Sequence, residues 1–432
     1  MNIPHLSLPV DETSRAQFEA DGLILRQVDA GDAEDHRSWS DAVMRGFLAA
    51  AETPERTEAR RPFAQADRLT GVYDPGAAIP SEPVATTHCW PAELTLPGGL
   101  PLPAWAVSGV TVAQTHRRRG IARLLMEAEL RAAIALQLPV AMLTVSESTI
   151  YGRFGYSPAA FARELTISTR RVRWTGPVTT GRIHYVTGEQ IREDGFTLVE
   201  RVRGVVPGEV SYSGTGHLWL RQIGLGPDDE SVKKLRIVRY DDAAGTAQGF
   251  AVFELVENEA DFTDHELKLH RLVAATDDAY AGLWRFVLEM DLVSKVTATM
   301  RPLDEPLRWL VGDFRAVRVA EYDHLWVRVL DVPVALSGRR YRRSDRLVVR
   351  VEDPLGHAKG TWAITVDAAG SATVTAVDET PDATLSVNAL GSLLLGGVPA
   401  ATLVAAGLAV GDAERLDGLF RSSVEPFCST WF

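Results

Sequence analysis

Apolar and polar positions change their rhythm several times along the chain, and each change marks an element. Residues 22–29 (GLILRQVD) read as a short strand, and residues 39–50 repeat apolar side chains at helical spacing behind polar cap candidates. The mixed-charge stretch 51–67 reads as exposed helix and loop. Strand candidates follow at 68–75 and 83–88, and the run 91–103, rich in Pro, Gly and Leu, reads as a connecting loop. Residues 104–112 (AWAVSGVTV) predict a strand and 113–120 a basic turn. Residues 121–135 predict a helix with one apolar face and with Glu127 and Glu129 off that face. Residues 138–145 (LPVAMLTV) predict an apolar strand short enough to lie buried in a sheet. Strand, turn, helix and strand make a βαβ unit, so the sheet is at least partly parallel or mixed.

The α/β pattern resumes after Arg170, with helices near 187–203 and 277–291 and strands near 234–240, 247–254, 267–273 and 294–299. The last hundred residues differ. Short strands at 324–330, 346–351, 360–366 and 372–377 precede two helices at 386–395 and 398–408. These changes predict an α/β (α+β) chain with segments 1–165, 166–315 and 316–432. A length of 432 residues agrees, since one core rarely serves so long a chain.

Composition removes several classes of function. Hydrophobic residues at 46% and charged residues at 24% describe an ordinary globular protein. A net charge of −12 argues against general nucleic-acid binding and suits a small cationic partner. Only Cys89 and Cys428 are present, no secretory signal opens the chain, and the apolar run Leu393–Ala409 is too broken to span a membrane. A cytoplasmic location is expected. The ten histidines show no metal-ligand spacing, so no metal is expected. Arg339, Arg340, Arg342, Arg343 and Arg346 form a basic run, read as a solvated loop.

The turn between strand 104–112 and helix 121–135 holds the clearest chemistry. A helix start exposes unpaired N–H groups and a partial positive charge. Gly120 lets a bulky anion approach the backbone, and Arg117, Arg118 and Arg119 add charge, so the turn suits a pyrophosphate. An exposed basic turn without a ligand would show the same residues. Neither a dinucleotide nor a P-loop fingerprint occurs. A second segment, Ser146-Glu-Ser-Thr-Ile-Tyr151-Gly-Arg-Phe-Gly155-Tyr156, follows the next strand. Tyr151 there reads equally as a proton donor or as a core aromatic with a satisfied hydroxyl.

The segment Val110–Ala122 resembles the pyrophosphate-binding motif of the GNAT superfamily of N-acetyltransferases, and the segment Ser146–Tyr156 resembles the signature of the enhanced intracellular survival (Eis) family. The stretch Ala389–Val398 is similar to that family's sterol-carrier-like domain. The resemblance implies tandem acetyltransferase-like mixed-sheet domains, a C-terminal sterol-carrier-like domain and a homo-hexamer. It implies acetyl-CoA as co-substrate and acetylation of aminoglycoside or similar amines, with protein lysine acetylation and non-catalytic CoA or lipid binding as alternatives. By position, Val110, Val112, Arg117, Arg118, Gly120 and Ala122 would hold CoA, with Ser146 and Glu147 beside its arm. Tyr151 would be the general acid and the carboxylate of Phe432 the general base. A terminus usually frays, but Phe427, Trp431 and Phe432 make an aromatic tail that would gain nothing by doing so. Trp431 stands at the penultimate position, where the family can carry an acidic residue.

Overall fold

The computed structural model describes residues 4–212, 216–226 and 230–432. Twelve strands form one sheet. They are β1 (Ile24–Gln27), β2 (Arg68–Tyr73), β3 (Ala85–Leu96), β4 (Leu100–Val112), β5 (Val140–Thr144), β6 (Ser157–Ser168), β7 (Arg182–Val186), β8 (Arg236–Asp241), β9 (Ala247–Val256), β10 (His265–Ala274), β11 (Val293–Arg301) and β12 (Val317–Val329). Their spatial order is β1-β2-β3-β4-β5-β12-β6-β11-β10-β9-β8-β7. From either edge the pattern is the same: three antiparallel pairings, then one parallel pair, β4/β5 or β10/β11. A helix crosses over each parallel pair, Ile121–Ala135 in the first half and Asp277–Leu288 in the second. The two halves therefore repeat one strand pattern, a relation that periodicity alone does not reveal.

The halves also exchange a strand. β6 follows β5 in the chain but lies between β12 and β11, and β12 follows β11 but lies between β5 and β6. Each half is thus completed by a strand from the other. The strand expected at 324–330 is the end of β12 and belongs to this sheet, so the large sheet reaches past the boundary expected near 315. A separate five-stranded sheet follows, ordered β15-β14-β13-β16-β17, from β13 (Asp345–Glu352), β14 (Gly360–Val366), β15 (Ala372–Ala376), β16 (Ala383–Ser386) and β17 (Ala409–Gly411). The helix Val387–Leu394 packs between the two sheets, against β6 and β12 on one side and β13 and β16 on the other. Its Leu390, Leu393 and Leu394 are fully buried in a core shared by both sheets. Among the described residues no helix is long and apolar enough to cross a membrane.

Three expectations change. Residues 91–103 are not a loop: β3 runs on to Leu96 and β4 starts at Leu100, turning at Gly98 and Gly99, both with positive φ. Past Cys89, β3 has left its β2 partner and is bridged at Leu94 by Val210, and Pro91, Pro101 and Pro103 lie outside that bridge and outside the β2 and β5 pairings. Leu94, Leu96 and Leu102 bury that arm in the core. Glu129 is not on a solvent face. It is 2% exposed, accepts hydrogen bonds from Thr70 and Thr87 and lies 4.0 Å from Arg68. Arg339 leaves the expected solvated run and is fully buried, donating to the carbonyls of Leu393, Leu394 and Phe420. A cation among helix-end carbonyls is stabilised where a loop arginine would not be.

Candidate active site

β4 and β5 pair only from Ala104/Val140 to Ala106/Met142, although β4 continues to Val112 and β5 to Thr144. The strands splay, and the gap between them opens a cleft. The splay begins where the β3/β4 register shifts, at Gly109, whose φ is +57°. A bulge there bends β4 away from its neighbour. Past the splay β4 ends in a one-turn helix, Gln114–His116, and the basic turn follows. Arg118 takes a left-handed conformation, φ +63°, and Gly120 caps the helix Ile121–Ala135 at φ +79°. No side chain caps that helix, no acidic residue lies in its first turn, and a Cβ on Gly120 would meet no atom within 4 Å. The first-turn N–H groups therefore face open space, as an anion cradle requires.

Every residue expected to hold CoA reaches one cleft of about 540 Å³: Val110, Val112, Arg117, Arg118, Gly120, Ala122, Ser146 and Glu147, with Tyr151 at its inner end. A second cavity of about 440 Å³ adjoins it and shares Phe47, Val110, Ser146 and Tyr151. Its own walls include His88, Trp90, Ser108, Thr144, Trp431 and Phe432. Tyr151 thus stands where the two spaces meet. Its ring lies edge-on to Tyr156, at 6.3 Å between centroids, and its side chain is buried. Burial foremost, with help from the Glu147 carboxylate, pushes the phenol above its usual range, and a hydrogen bond with Ser146 opposes that. The hydroxyl is therefore protonated at neutral pH.

The segment that carries Tyr151 is held from the far end of the chain. Asn388 donates to the carbonyls of Gly152 and Tyr156, each at 2.8 Å. Arg328, fully buried, donates to the Phe154 carbonyl and pairs with Asp353 at 2.7 Å. Gly155, φ +85°, lies so close to Arg328 that a Cβ would sit 2.6 Å from its Nε. The C-terminal tail is fixed as firmly. Phe427 donates to the Pro207 carbonyl, Ser429 donates to buried Glu209, and Thr430 accepts from His324 at 3.0 Å. A carbonyl only accepts, so His324 carries its proton on Nε2. Burial pulls His324 down to about 4, which keeps it neutral. Thr144 brackets Phe432, accepting from its N–H at 3.1 Å and donating to its carbonyl oxygen. Trp90 meets the Phe432 ring edge-on at 5.6 Å. The tail does not fray.

An acetyltransferase (GNAT) domain profile matches residues 27–159, a second one matches 215–329, and a sterol carrier protein domain profile matches 332–429. The chain is 34% identical to the N-acetyltransferase Eis of Mycobacterium tuberculosis, over 86% of this chain and 91% of that protein. It belongs to the Eis family of GNAT N-acetyltransferases. An uncharacterized N-acetyltransferase of Streptomyces avermitilis is 35% identical over 95% of this chain and 99% of its own length. The crystal structure of Eis1 from Mycobacterium abscessus superposes with a TM-score of 0.77 at 27% identity, covering 95% of this chain and all of that one. The chain is thus an N-acetyltransferase, and GNAT acetyltransferases use acetyl-CoA.

Three contributors escape the sequence. They are the Asp67–His88 pair, the bonds of Asn388 and Arg328 to the segment 152–156, and the bonds of Thr144 and His324 to the C-terminal tail, each joining residues far apart in the chain. No local spacing signals any of them. Among the described residues no group of three or more His, Cys, Asp or Glu side chains is placed to hold a metal ion.

Proposed function

We propose that the chain transfers acetyl from acetyl-CoA directly to an amine of a small cationic acceptor in a ternary complex, aminoglycosides and related polyamines being the acceptor class. One observation carries this reading: a cleft with an anion-ready helix start meets a second cavity at a buried, protonated tyrosine. Acetyl-CoA supplies the activated thioester. Arg117, Arg118, Gly120 and Ala122 fit its pyrophosphate, since charge and unpaired N–H groups converge on a turn with room for it. Val110 and Val112 lie on the splayed part of β4, where backbone groups are available to the arm and to a developing oxyanion. Ser146 and Glu147 flank the same arm.

Tyr151 gives its proton to the departing thiolate, as a phenol kept neutral by burial can. The carboxylate that Phe432 bears as the last residue of this sequence holds the ammonium group in the adjoining cavity. It is a weak base, with a reference value near 3.3–3.7, so it acts mainly by positioning the amine. Trp90, Trp431 and Phe47 line that cavity, and aromatic rings there suit cation–π contact with the rest of a polycation. The family resemblance adds a homo-hexamer, which sedimentation of the full chain tests.

The assay is CoA thiol release from acetyl-CoA with kanamycin, neomycin and a lysine-rich peptide as acceptors. It is run on the chain as given and on a version extended by a short tail after Phe432. Turnover of the drugs that collapses on extension supports both the acceptor class and the terminal carboxylate. Turnover that survives extension removes Phe432. Turnover of the peptide alone moves the acceptor to protein lysines.

A further inference from the structure

The acceptor cavity holds a histidine with the hallmarks of a proton acceptor. His88 lies on β3, opposite Ser108 of β4 and beside the bulge at Gly109. A Cβ on Gly109 would sit 3.1 Å from the His88 Cβ, so the glycine leaves the imidazole its place. His88 Nε2 is 2.8 Å from Asp67 Oδ2, and Asp67 is almost wholly buried. A carboxylate at that distance accepts a hydrogen bond from Nε2–H and leaves Nδ1 as the lone-pair nitrogen. Nδ1 has no hydrogen-bond partner among the described residues, and the side chain is 20% exposed. Trp90 and Trp39 flank the ring at 4.7 and 6.0 Å and fix its plane.

We propose that His88, oriented by Asp67, accepts the proton of the acceptor's ammonium group before the amine attacks. This rests on the acetyl-transfer reading above and assigns one step within it. The ammonium passes a proton to Nδ1, and the freed nitrogen lone pair forms the C–N bond to the thioester carbon. The C–S bond then breaks and its electron pair leaves with sulfur, which takes the Tyr151 proton. The second nitrogen proton restores the tyrosine, and the imidazolium returns its proton to water. Asp67 is a positioning residue: its buried carboxylate, paired with Nε2, faces the imidazolium while the charge exists. The terminal carboxylate binds the ammonium, and the imidazole, much the stronger base by reference value, removes the proton. Other titratable groups facing His88 are His36 from the helix Ala33–Gly46, Tyr151 and Phe432 across the cavity, and Arg221 from the helix Gly216–Gln222.

The test is the pH profile of kcat/KM for neomycin, read by thiol release, for the full chain and for His88→Gln and Asp67→Asn. His88→Gln should lose about 10²-fold near neutral pH, the scale of general-base catalysis, with the KM for acetyl-CoA within about twofold. Its deficit should shrink as pH rises, because the acceptor deprotonates in solution. Asp67→Asn should lose less and move the acidic limb toward lower pH, because the imidazolium loses its counter-charge. A His88→Gln profile within about twofold of the parent at every pH, or lowered by one factor at every pH, overturns the assignment. Should the parent turn over kanamycin or the peptide but not neomycin, that acceptor takes neomycin's place. No thiol release by the parent with any of the three overturns the acetyl-transfer reading itself, a result distinct from failure of His88 alone.

Discussion

The two halves of the large sheet contain the same turn twice, and only one copy is built for an anion. In both, the third strand pairing shifts register at a bulge and continues, and a parallel pair splays: β4/β5 by Gly109 and β10/β11 past Leu269. In the first half the following helix starts at Gly120 with arginines before it and no carboxylate in its first turn. In the second it starts at Thr276, whose side chain caps Ala279 N–H, and continues with Asp277 and Asp278. Asp278 accepts from Tyr240 and Thr180, so this helix start carries a side-chain cap and two carboxylates of its own. The second splay is also crossed by the chain's own tail, with Ser429 bonded to Glu209 and Arg271. One strand pattern thus ends in an open, positive helix start in the first half, and in the second in a capped, acidic start beside a cavity of about 390 Å³ that the C-terminal tail helps to wall.

The largest effect expected within this comparison is at Tyr151, for which the second half has no counterpart: the chain after β11 reads Pro302-Leu-Asp-Glu305. Tyr151→Phe should lower kcat by about 10²–10⁴-fold while leaving the dissociation constant of acetyl-CoA, from calorimetry, within about threefold. Making the first turn resemble the second comes next. Ala122→Asp sets a carboxylate where Asp278 stands in the other helix, and should weaken acetyl-CoA binding by about 10–100-fold, the worth of one charged hydrogen bond turned to repulsion. Asp277→Asn, at the start of the second helix, should leave acetyl-CoA affinity unchanged. A smaller loss is expected at Asn388, which ties the Tyr151 segment to the C-terminal domain. Asn388→Ala should lower kcat by about tenfold with little change in acetyl-CoA KM, because misplacing a catalytic group costs turnover first.

The smallest effect is a shift of a pH limb. Glu147 raises the Tyr151 phenol, after burial. Activity that needs the protonated phenol falls as pH rises through that value, so Glu147→Gln should bring the basic limb of the kcat profile to lower pH. An unmoved limb would mean that another group donates the proton.

The parts of this site that were legible are those written in consecutive residues. The run Arg117–Gly120 announces an anion turn because a helix start and three cations must be adjacent to make one, and Tyr151 follows its strand within a few residues. The strand exchange of β6 and β12 was not legible, because each strand keeps an ordinary apolar pattern whichever half it completes. Nor was the hairpin at 91–103, whose prolines signal a loop until it is known that they fall outside the β2 and β5 pairings. Glu129 and Arg339 misled for one reason: charge predicts exposure unless a partner is already in place, and their partners lie far along the chain. His88 is silent by the same rule, since Asp67 is 21 residues away.

The most direct test of the account is the stoichiometry of CoA binding to the full chain by isothermal titration calorimetry, repeated with Ala122→Asp and with Asp277→Asn. One CoA per chain, weakened by the first substitution and untouched by the second, is the result expected if only the open, positive helix start is a cleft for it. Two per chain, or binding that Asp277→Asn alters and Ala122→Asp does not, would contradict it.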